Sequence, residues 1–261
     1  MKKLFRYRPA QRLGWICLLL LIWQGVVWSK RISPLLLPAP WQVWKAFIRQ
    51  LLDGDLAAQI GFSLTIILRG TALAVAISLA VALLSLYSRV FASLADTLCA
   101  LAHPLPAIAL LPLIIVWFGV GYRAVVAIIV HSTLWPMLLN LTAGLKSTPP
   151  VYVECGKSLC SSPLWMLCHV YLPSSLSSFL AGLKIGWARA WRALISAEMI
   201  FGAVASSGGI GWFLFQNRVM MDTPGLFAGI LVVAVIGMLV EELLLLVERR
   251  TVIRWGMSAA K

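Results

Sequence analysis

Ile60-Gly61-Phe62-Ser63-Leu64-Thr65-Ile66-Ile67-Leu68-Arg69-Gly70-Thr71-Ala72-Leu73-Ala74-Val75-Ala76-Ile77-Ser78-Leu79-Ala80-Val81-Ala82-Leu83-Leu84-Ser85-Leu86-Tyr87 runs for 28 residues with a single charged side chain, Arg69. A helix crosses the hydrocarbon core of a bilayer with about 20 mostly apolar residues. This run is long enough to do so. The whole chain is of the same kind: of 261 residues 61% are hydrophobic and only 12% charged, with a mean hydropathy of +0.92. A soluble domain carries about 25% charged residues. Too little polar surface remains to cover a water-soluble fold, and nothing in the length asks for a second domain. Residues 1–261 are therefore read as a single all-α integral membrane domain.

Working outward from that run, further apolar stretches lie at about 95–118, 124–145, 176–200 and 226–247. An earlier stretch runs from about Leu13 to Trp28, behind Lys2, Lys3, Arg6, Arg8 and Arg12. A secretory signal also has a basic start, but Val27-Trp28-Ser29-Lys30 offers no small-residue cleavage site, so a retained span is expected. That makes about six transmembrane helices. Between the first two, Leu37-Pro38-Ala39-Pro40-Trp41 opens a segment with Val43, Phe47 and Leu51 at four-residue spacing. It predicts an amphipathic helix at the membrane surface, with Trp41 and Trp44 suited to the headgroup layer.

A net charge of +13 raises the question of nucleic acid. Nucleic-acid binders gather Lys and Arg on one water-facing patch. Here the basic residues sit at the edges of apolar runs, which is the positive-inside pattern of a membrane protein and argues against a nucleic-acid partner. With six spans, Lys2, Lys3, Arg6, Arg8, Arg12, Arg89, Lys146, Lys157, Arg249, Arg250, Arg254 and Lys261 fall on the side of the N-terminus; Lys30, Arg31, Lys45, Arg49, Arg123 and Arg218 fall on the other. The bias places both termini, including residues 1–12, in the cytoplasm of a bacterial cell, with the chain in the inner membrane.

His103-Pro104-Leu105-Pro106 opens the third stretch and Pro112 interrupts it, which removes backbone donors and kinks the helix. Broken backbone at membrane depth is tolerated where it is buried in protein or lines a cavity; a kinked packing helix is the plainer alternative. The five cysteines have no paired metal-ligand spacing, and His103, His131 and His169 lie far apart. No metal, cofactor or catalytic residue is expected.

Between the fourth and fifth stretches, residues 146–173 form a polar segment too long for a turn: Lys146-Ser147-Thr148-Pro149-Pro150-Val151-Tyr152-Val153-Glu154-Cys155-Gly156-Lys157-Ser158-Leu159-Cys160, then Ser161-Ser162-Pro163-Leu164-Trp165-Met166-Leu167-Cys168-His169-Val170-Tyr171-Leu172-Pro173. Two short helices joined at a corner are predicted, the first capped by Thr148 and the second opened by Ser162-Pro163. Val151, Cys155 and Leu159 recur every four residues as an apolar stripe, and Glu154 lies in the half of the helix whose dipole favours negative charge. An apolar stripe on a cytoplasmic helix pair is suited to docking a partner.

This segment resembles the EAA loop of ATP-binding-cassette importer permeases: Glu-Ala-Ala, three residues, Gly, nine residues, Ile-x-Leu-Pro. Glu154 stands at the Glu, Cys155 and Gly156 at the two alanines, Cys160 at the corner glycine, and Val170-Tyr171-Leu172-Pro173 at the end. Leu36-Leu37-Pro38-Ala39-Pro40, Pro112-Leu113-Ile114-Ile115-Val116-Trp117-Phe118-Gly119-Val120-Gly121, Gly186-Trp187-Ala188-Arg189-Ala190-Trp191, Ala197-Glu198-Met199 and Ser206-Ser207-Gly208-Gly209-Ile210-Gly211 extend the resemblance over roughly residues 35–256. They narrow it to the permeases for nitrate, sulfonates and taurine. The resemblance implies a type I importer permease fold and an ATP-driven, binding-protein-dependent importer of a small anionic solute. It implies two ATPase subunits docked at Glu154, Cys155, Gly156, Leu159, Cys160, Leu172 and Pro173, an external substrate-binding protein, and a second permease chain making a homodimer. The chain itself is then no enzyme. Gly156-Lys157-Ser158 is only a fragment of a phosphate-binding loop, because Val151 stands where its first glycine would be. A secondary transporter would also explain six spans and buried charge, but not this loop.

Ionisable residues inside spans default to a functional reading. Arg69, Arg189, Arg192 and Glu198, with Pro104 and Pro106, are the candidate pathway residues. Arg189 and Arg192 share a helical face; they either line a pathway that favours anions or hold neighbouring helices. Glu198 is turned away from both, so its partner must come from another helix, with Arg69 the candidate. Gly208-Gly209-Ile210-Gly211 reads equally as a gate, a re-entrant turn or a plain loop. Gly182 and Gly186, and Gly225 and Gly229, have the spacing of close helix packing.

Overall fold

A computed structural model describes residues 8–159, 162–202 and 208–253. The basic start at Met1–Tyr7, Cys160, Ser206-Ser207 and the tail containing Arg254 lie outside the described residues. Among those described there is no strand. The helices are α1 (Arg8–Trp28), α2 (Pro40–Leu52), α3 (Leu56–Tyr87), α4 (Arg89–Ala102), α5 (Leu111–Phe118), α6 (Tyr122–Lys146), α7 (Pro150–Ser158), α8 (Pro163–Met166), α9 (Leu176–Phe201), α10 (Ile210–Val219) and α11 (Thr223–Glu248).

Three helices, at Leu56–Tyr87, Tyr122–Lys146 and Thr223–Thr251, are long and apolar enough to cross a bilayer unbroken. Two helix pairs are apolar enough to span only if each is taken as one bent unit, with bends of 93° between Arg89–Ala102 and Ala107–Phe118 and of 63° between Pro163–Ser174 and Leu176–Phe201. The shorter apolar helix Gly14–Trp28 completes the set of six apolar stretches read from the sequence. It lies at the edge of the bundle, tied by Trp23 Nε1 donating to the Pro38 carbonyl at 3.0 Å and by Trp23 against Phe227 at 5.7 Å between ring centroids.

The third stretch is therefore sharply bent rather than one continuous span. Pro104 and Pro106 lack the N–H groups that would carry α4 onward, and the chain restarts as a short 3₁₀ turn at Ala107–Leu110. Pro112, expected to interrupt the stretch, instead sits in the first turn of α5, where a missing donor costs nothing. The predicted surface helix is α2, with its Pro40 in the first turn, Val43 and Ala46 buried, and Trp41 and Trp44 exposed.

The core lies where α6 packs against α9 on one side and α3 on the other. Ile66, Ile67, Ile128, Ile129, Ala190, Leu194 and Ile210 are buried together there. Small residues set the spacing. A Cβ at Gly186 would stand 2.9 Å from Thr133 Cγ2, and one at Gly182 would stand 2.9 Å from Asn140 Cβ, so α9 lies directly on α6. A Cβ at Gly229 of α11 would meet Leu214 Cδ2 of α10 at 2.6 Å. Both glycine pairs sit at helix contacts.

Candidate functional site

The segment between α6 and α9 folds as two short limbs. Pro149 and Pro150 start α7, and Leu159 ends it, its N–H bonded to the Cys155 carbonyl at 3.2 Å. Thr148 does not cap α7: its hydroxyl bonds Ser174 Oγ at 2.8 Å, and Ser174 in turn donates to the Tyr171 carbonyl at 3.0 Å. Thr148 thus ties the start of the segment to its end. Ser162 does cap the second limb, accepting from the Trp165 N–H at 3.3 Å. That limb runs from α8 through a π turn at Leu167–Tyr171 to Leu172–Ser174, with Pro173 at the bend into α9.

Gly156 is where the limbs meet. It is buried, and a Cβ there would fall on Met166 Sδ, with Val170 Cγ2 at 3.5 Å. The opposite face of α7 is open. Val151 is 62% exposed and Leu159 72%, and Tyr152, Glu154 and Cys155 are exposed beside them. On the second limb Leu164 is exposed, and Trp165 stacks on His169 with centroids 4.6 Å apart. Leu172 and Pro173 are half-buried at the bend. The corner residue Cys160 lies outside the described residues.

At the far end of α9 the carboxyl group of Glu198 is 0% exposed. Ser63 of α3 donates to it at 2.8 Å and the Gly211 N–H at 2.9 Å, while Ser63 Oγ accepts from the Ile210 N–H at 2.9 Å. Ile210 and Gly211 are the first two residues of α10, whose opening N–H groups have no partner within their own helix. Glu198 and Ser63 together satisfy both, and the positive end of the helix dipole favours the carboxyl oxygens there. The glycines make this approach possible: a Cβ at Gly209 would overlap the Glu198 carboxyl group, and one at Gly211 would lie 2.6 Å from Glu198 Cβ. The Gly208–Gly211 stretch is thus a close-packed helix start. The partner proposed for Glu198, Arg69, is not there; Ser63 and backbone amides take its place.

Arg189 reaches the break in the third stretch, where Nη2 donates to the His103 carbonyl at 3.0 Å. His131 Nε2 lies 3.4 Å from the Leu105 carbonyl, and Trp135 Nε1 donates to His131 Nδ1 at 3.0 Å. With Nδ1 accepting, the proton of a neutral ring is on Nε2, which then donates to Leu105. Pro104 and Pro106 are exposed between these anchors. Arg192 is exposed and bonds its own helix at the Ala188 carbonyl, 3.0 Å. Lys184 pairs with Glu248 of α11 at 2.6 Å.

Arg69 is exposed and lines a cavity of about 600 Å³ between α3, the start of α6 and α10. Among the described residues no group of three or more His, Cys, Asp or Glu is placed to hold a metal ion. The arrangement offers an exposed, largely apolar face at one end of α9, a locked helix start at the other, and a polar cavity beside it. Sequence reasoning missed Ser63, a single polar residue in an apolar run whose partners lie on distant segments, and Gln59, a buried amide whose Oε1 has no hydrogen-bond partner among the described residues.

The comparisons agree with this architecture. Residues 72–253 match the family described as binding-protein-dependent transport system inner membrane component. The taurine transport system permease protein TauC of Escherichia coli (strain K12) is 31% identical over 243 residues, 91% of this chain and 87% of the relative. The putative aliphatic sulfonates transport permease protein SsuC of Bacillus subtilis (strain 168) is 27% identical over 97% of this chain and 92% of its own. The formylaminopyrimidine transport permease protein ThiX of Halalkalibacterium halodurans is 28% identical over 89% and 91%. Among solved structures, a chain of the MetNI methionine ABC transporter in inward-facing conformations superposes with a TM-score of 0.60 at 14% identity, over 75% of this chain and 95% of that one. With its bent spans, its two-limbed segment and a family match over most of its length, the chain belongs to the inner membrane components of binding-protein-dependent transport systems, with the type I ABC importer permease fold.

Proposed function

We propose that this chain is the permease subunit of an ATP-driven importer of a small anionic solute such as taurine, another sulfonate or nitrate. The observation that carries the mechanism is α7: one face is sealed against the second limb through Gly156, and the other presents Val151, Cys155 and Leu159 to solvent around Glu154. An exposed apolar stripe on a short, braced helix is a docking knob. The knob is residues 146–173, on the cytoplasmic side with both termini, and an ATPase subunit docks on Glu154, Cys155 and Leu159, with Gly156, Cys160, Leu172 and Pro173 shaping the limbs that present them. ATP hydrolysis belongs to that subunit, present in two copies. Two copies of this chain, paired by symmetry, form the path. A substrate-binding protein delivers the solute to the opposite face. Arg69, Pro104, Pro106, Arg189, Arg192 and Glu198 border the path or shape its walls. The names of the taurine and sulfonate relatives support the solute class.

Gentle purification of the tagged chain from its native membrane tests this. The expected result is an ATPase at one copy per permease, lost on Glu154→Arg. Recovery of the permease alone, with uptake that survives ATP depletion and collapses with the ion gradient, would overturn it in favour of a secondary transporter.

A further inference from the structure

Asp55, Ala58, Phe62, Thr65 and Arg69 follow one another at three- and four-residue spacing, so they share one face of α3 and its lead-in, and all line the same cavity. A lipid-facing surface would be apolar there; this one carries an acid, a hydroxyl and a guanidinium. Trp212 and Gln216 of α10 and Tyr122 of α6 stand opposite. The volume of about 600 Å³ falls within the range of small-molecule sites.

Arg69 is the residue that asks for an explanation. It is exposed, and among the described residues it makes no ion pair or side-chain hydrogen bond. It lies about 4 Å from the midpoint of the 32-residue α3, counted at 1.5 Å per residue. With α3 centred in a hydrocarbon core of about 30 Å, the Arg69 backbone stands about 11 Å from the nearer boundary and about 19 Å from the other. That is farther than an arginine side chain extends, so snorkelling to headgroups does not account for it. Gln59 also lines the cavity, 8% exposed with its Oε1 buried without a hydrogen-bond partner. Ten residues before Arg69, about 15 Å along the axis, it is an acceptor remote from the guanidinium and takes no part in holding an anion there.

Resting on the transport reading above, we propose that this cavity is a binding site of the permease itself, in which Arg69 holds the anionic headgroup of the solute, a sulfonate or carboxylate. Arg suits such a headgroup because its donors match two oxygens at once. Asp55 lies 14 residues before Arg69, about 21 Å along the axis, so it cannot share a small solute with Arg69. It marks the rim.

The test uses the full transporter in right-side-out vesicles, with native cysteines replaced by serine and Thr65→Cys placed one turn before Arg69. Sulfonatoethyl and trimethylammonioethyl methanethiosulfonate, equal in reach and opposite in charge, label the introduced thiol. The sulfonate reagent is expected to react faster, and Arg69→Gln to lower that preference about fivefold, the effect of about 1 kcal/mol of charge interaction. Methanesulfonate is expected to slow labelling, with the protection kept in Arg69→Lys and lost in Arg69→Gln. Protection by methanesulfonate alone identifies a sulfonate site; equal protection by acetate identifies a site for either anion. No protection by either, or protection indifferent to Arg69→Gln, overturns the proposal. Co-purification of the ATPase is scored on the same membranes. Lost protection with the ATPase retained sinks the site alone, and a missing ATPase with protection intact sinks the importer reading alone.

Discussion

Glu198 and Ser63 are 135 residues apart and form one buried polar unit. Ser63 both donates to the carboxyl group and accepts from the Ile210 N–H, so its loss leaves the Ile210 N–H unpaired and the carboxyl group with the Gly211 N–H alone. Ser63→Ala is expected to lower stability by about 1–3 kcal/mol, the cost of an unmet buried hydrogen-bonding group. Glu198→Gln keeps the size but turns an NH₂ toward groups that are themselves donors, and is expected to cost as much or more. Gly209→Ala is expected to be at least as damaging, because its Cβ would occupy the space of the carboxyl group. Melting of the purified permease reads all three. Unchanged melting in Ser63→Ala and Glu198→Gln would show that the unit contributes nothing to the fold. The sequence placed a buried acid on α9 and turned it away from Arg189 and Arg192. It could not name Ser63, because a serine in an apolar run has no local signature, and only the packing of α3 on α9 brings it to the carboxyl group.

The segment from Lys146 to Pro173 works as an element through one small residue. Gly156 lets α7 close onto Met166, and that closure turns Val151, Cys155 and Leu159 outward. Gly156→Val is expected to push the limbs apart and reduce ATPase recovery several-fold while leaving the chain in the membrane. Met166→Ala alone removes packing and should cost less. Combined with Gly156→Val it restores room, so the double variant is expected to recover more ATPase than the single one, a coupling of about 1 kcal/mol. Strict additivity would mean that the two residues do not meet. At this scale the sequence was informative where composition decides the outcome. Length and apolarity pointed to α3, α6 and α11, and the prolines announced an interruption in the third stretch, though at Pro112 rather than at Pro104 and Pro106 where the helix stops. The 93° bend was beyond it, because a missing N–H says where a helix stops and not where the chain turns. Thr148 misled for a related reason: its hydroxyl found Ser174, close only once the segment has folded back on itself.

Across the whole molecule α9 joins the two-limbed segment to the Glu198 unit: Glu198 lies 22 residues beyond Leu176, about 33 Å along the axis. A helix transmits motion only if its neighbours move with it or give way cleanly. α9 is seated on α6 through Gly182 and Gly186 and meets the start of α10 through Glu198; on the proposed mechanism α6 and α9 move as one body and carry a push on the segment at its foot to α10. A flaw in that seat should therefore separate ATP use from transport. Gly186→Ala sets a methyl group 2.9 Å from Thr133 Cγ2, an overpacking that costs about 1–3 kcal/mol. Thr133→Ser removes that same Cγ2 and leaves the hydroxyl. In proteoliposomes holding the complete transporter, Gly186→Ala is expected to lower solute imported per ATP hydrolysed, with ATPase binding unchanged. Adding Thr133→Ser is expected to raise that ratio again. If transport and hydrolysis fall together in proportion, and Thr133→Ser restores neither, α6 and α9 do not carry the stroke as one body, and the path from the docking segment to Glu198 must run through another helix.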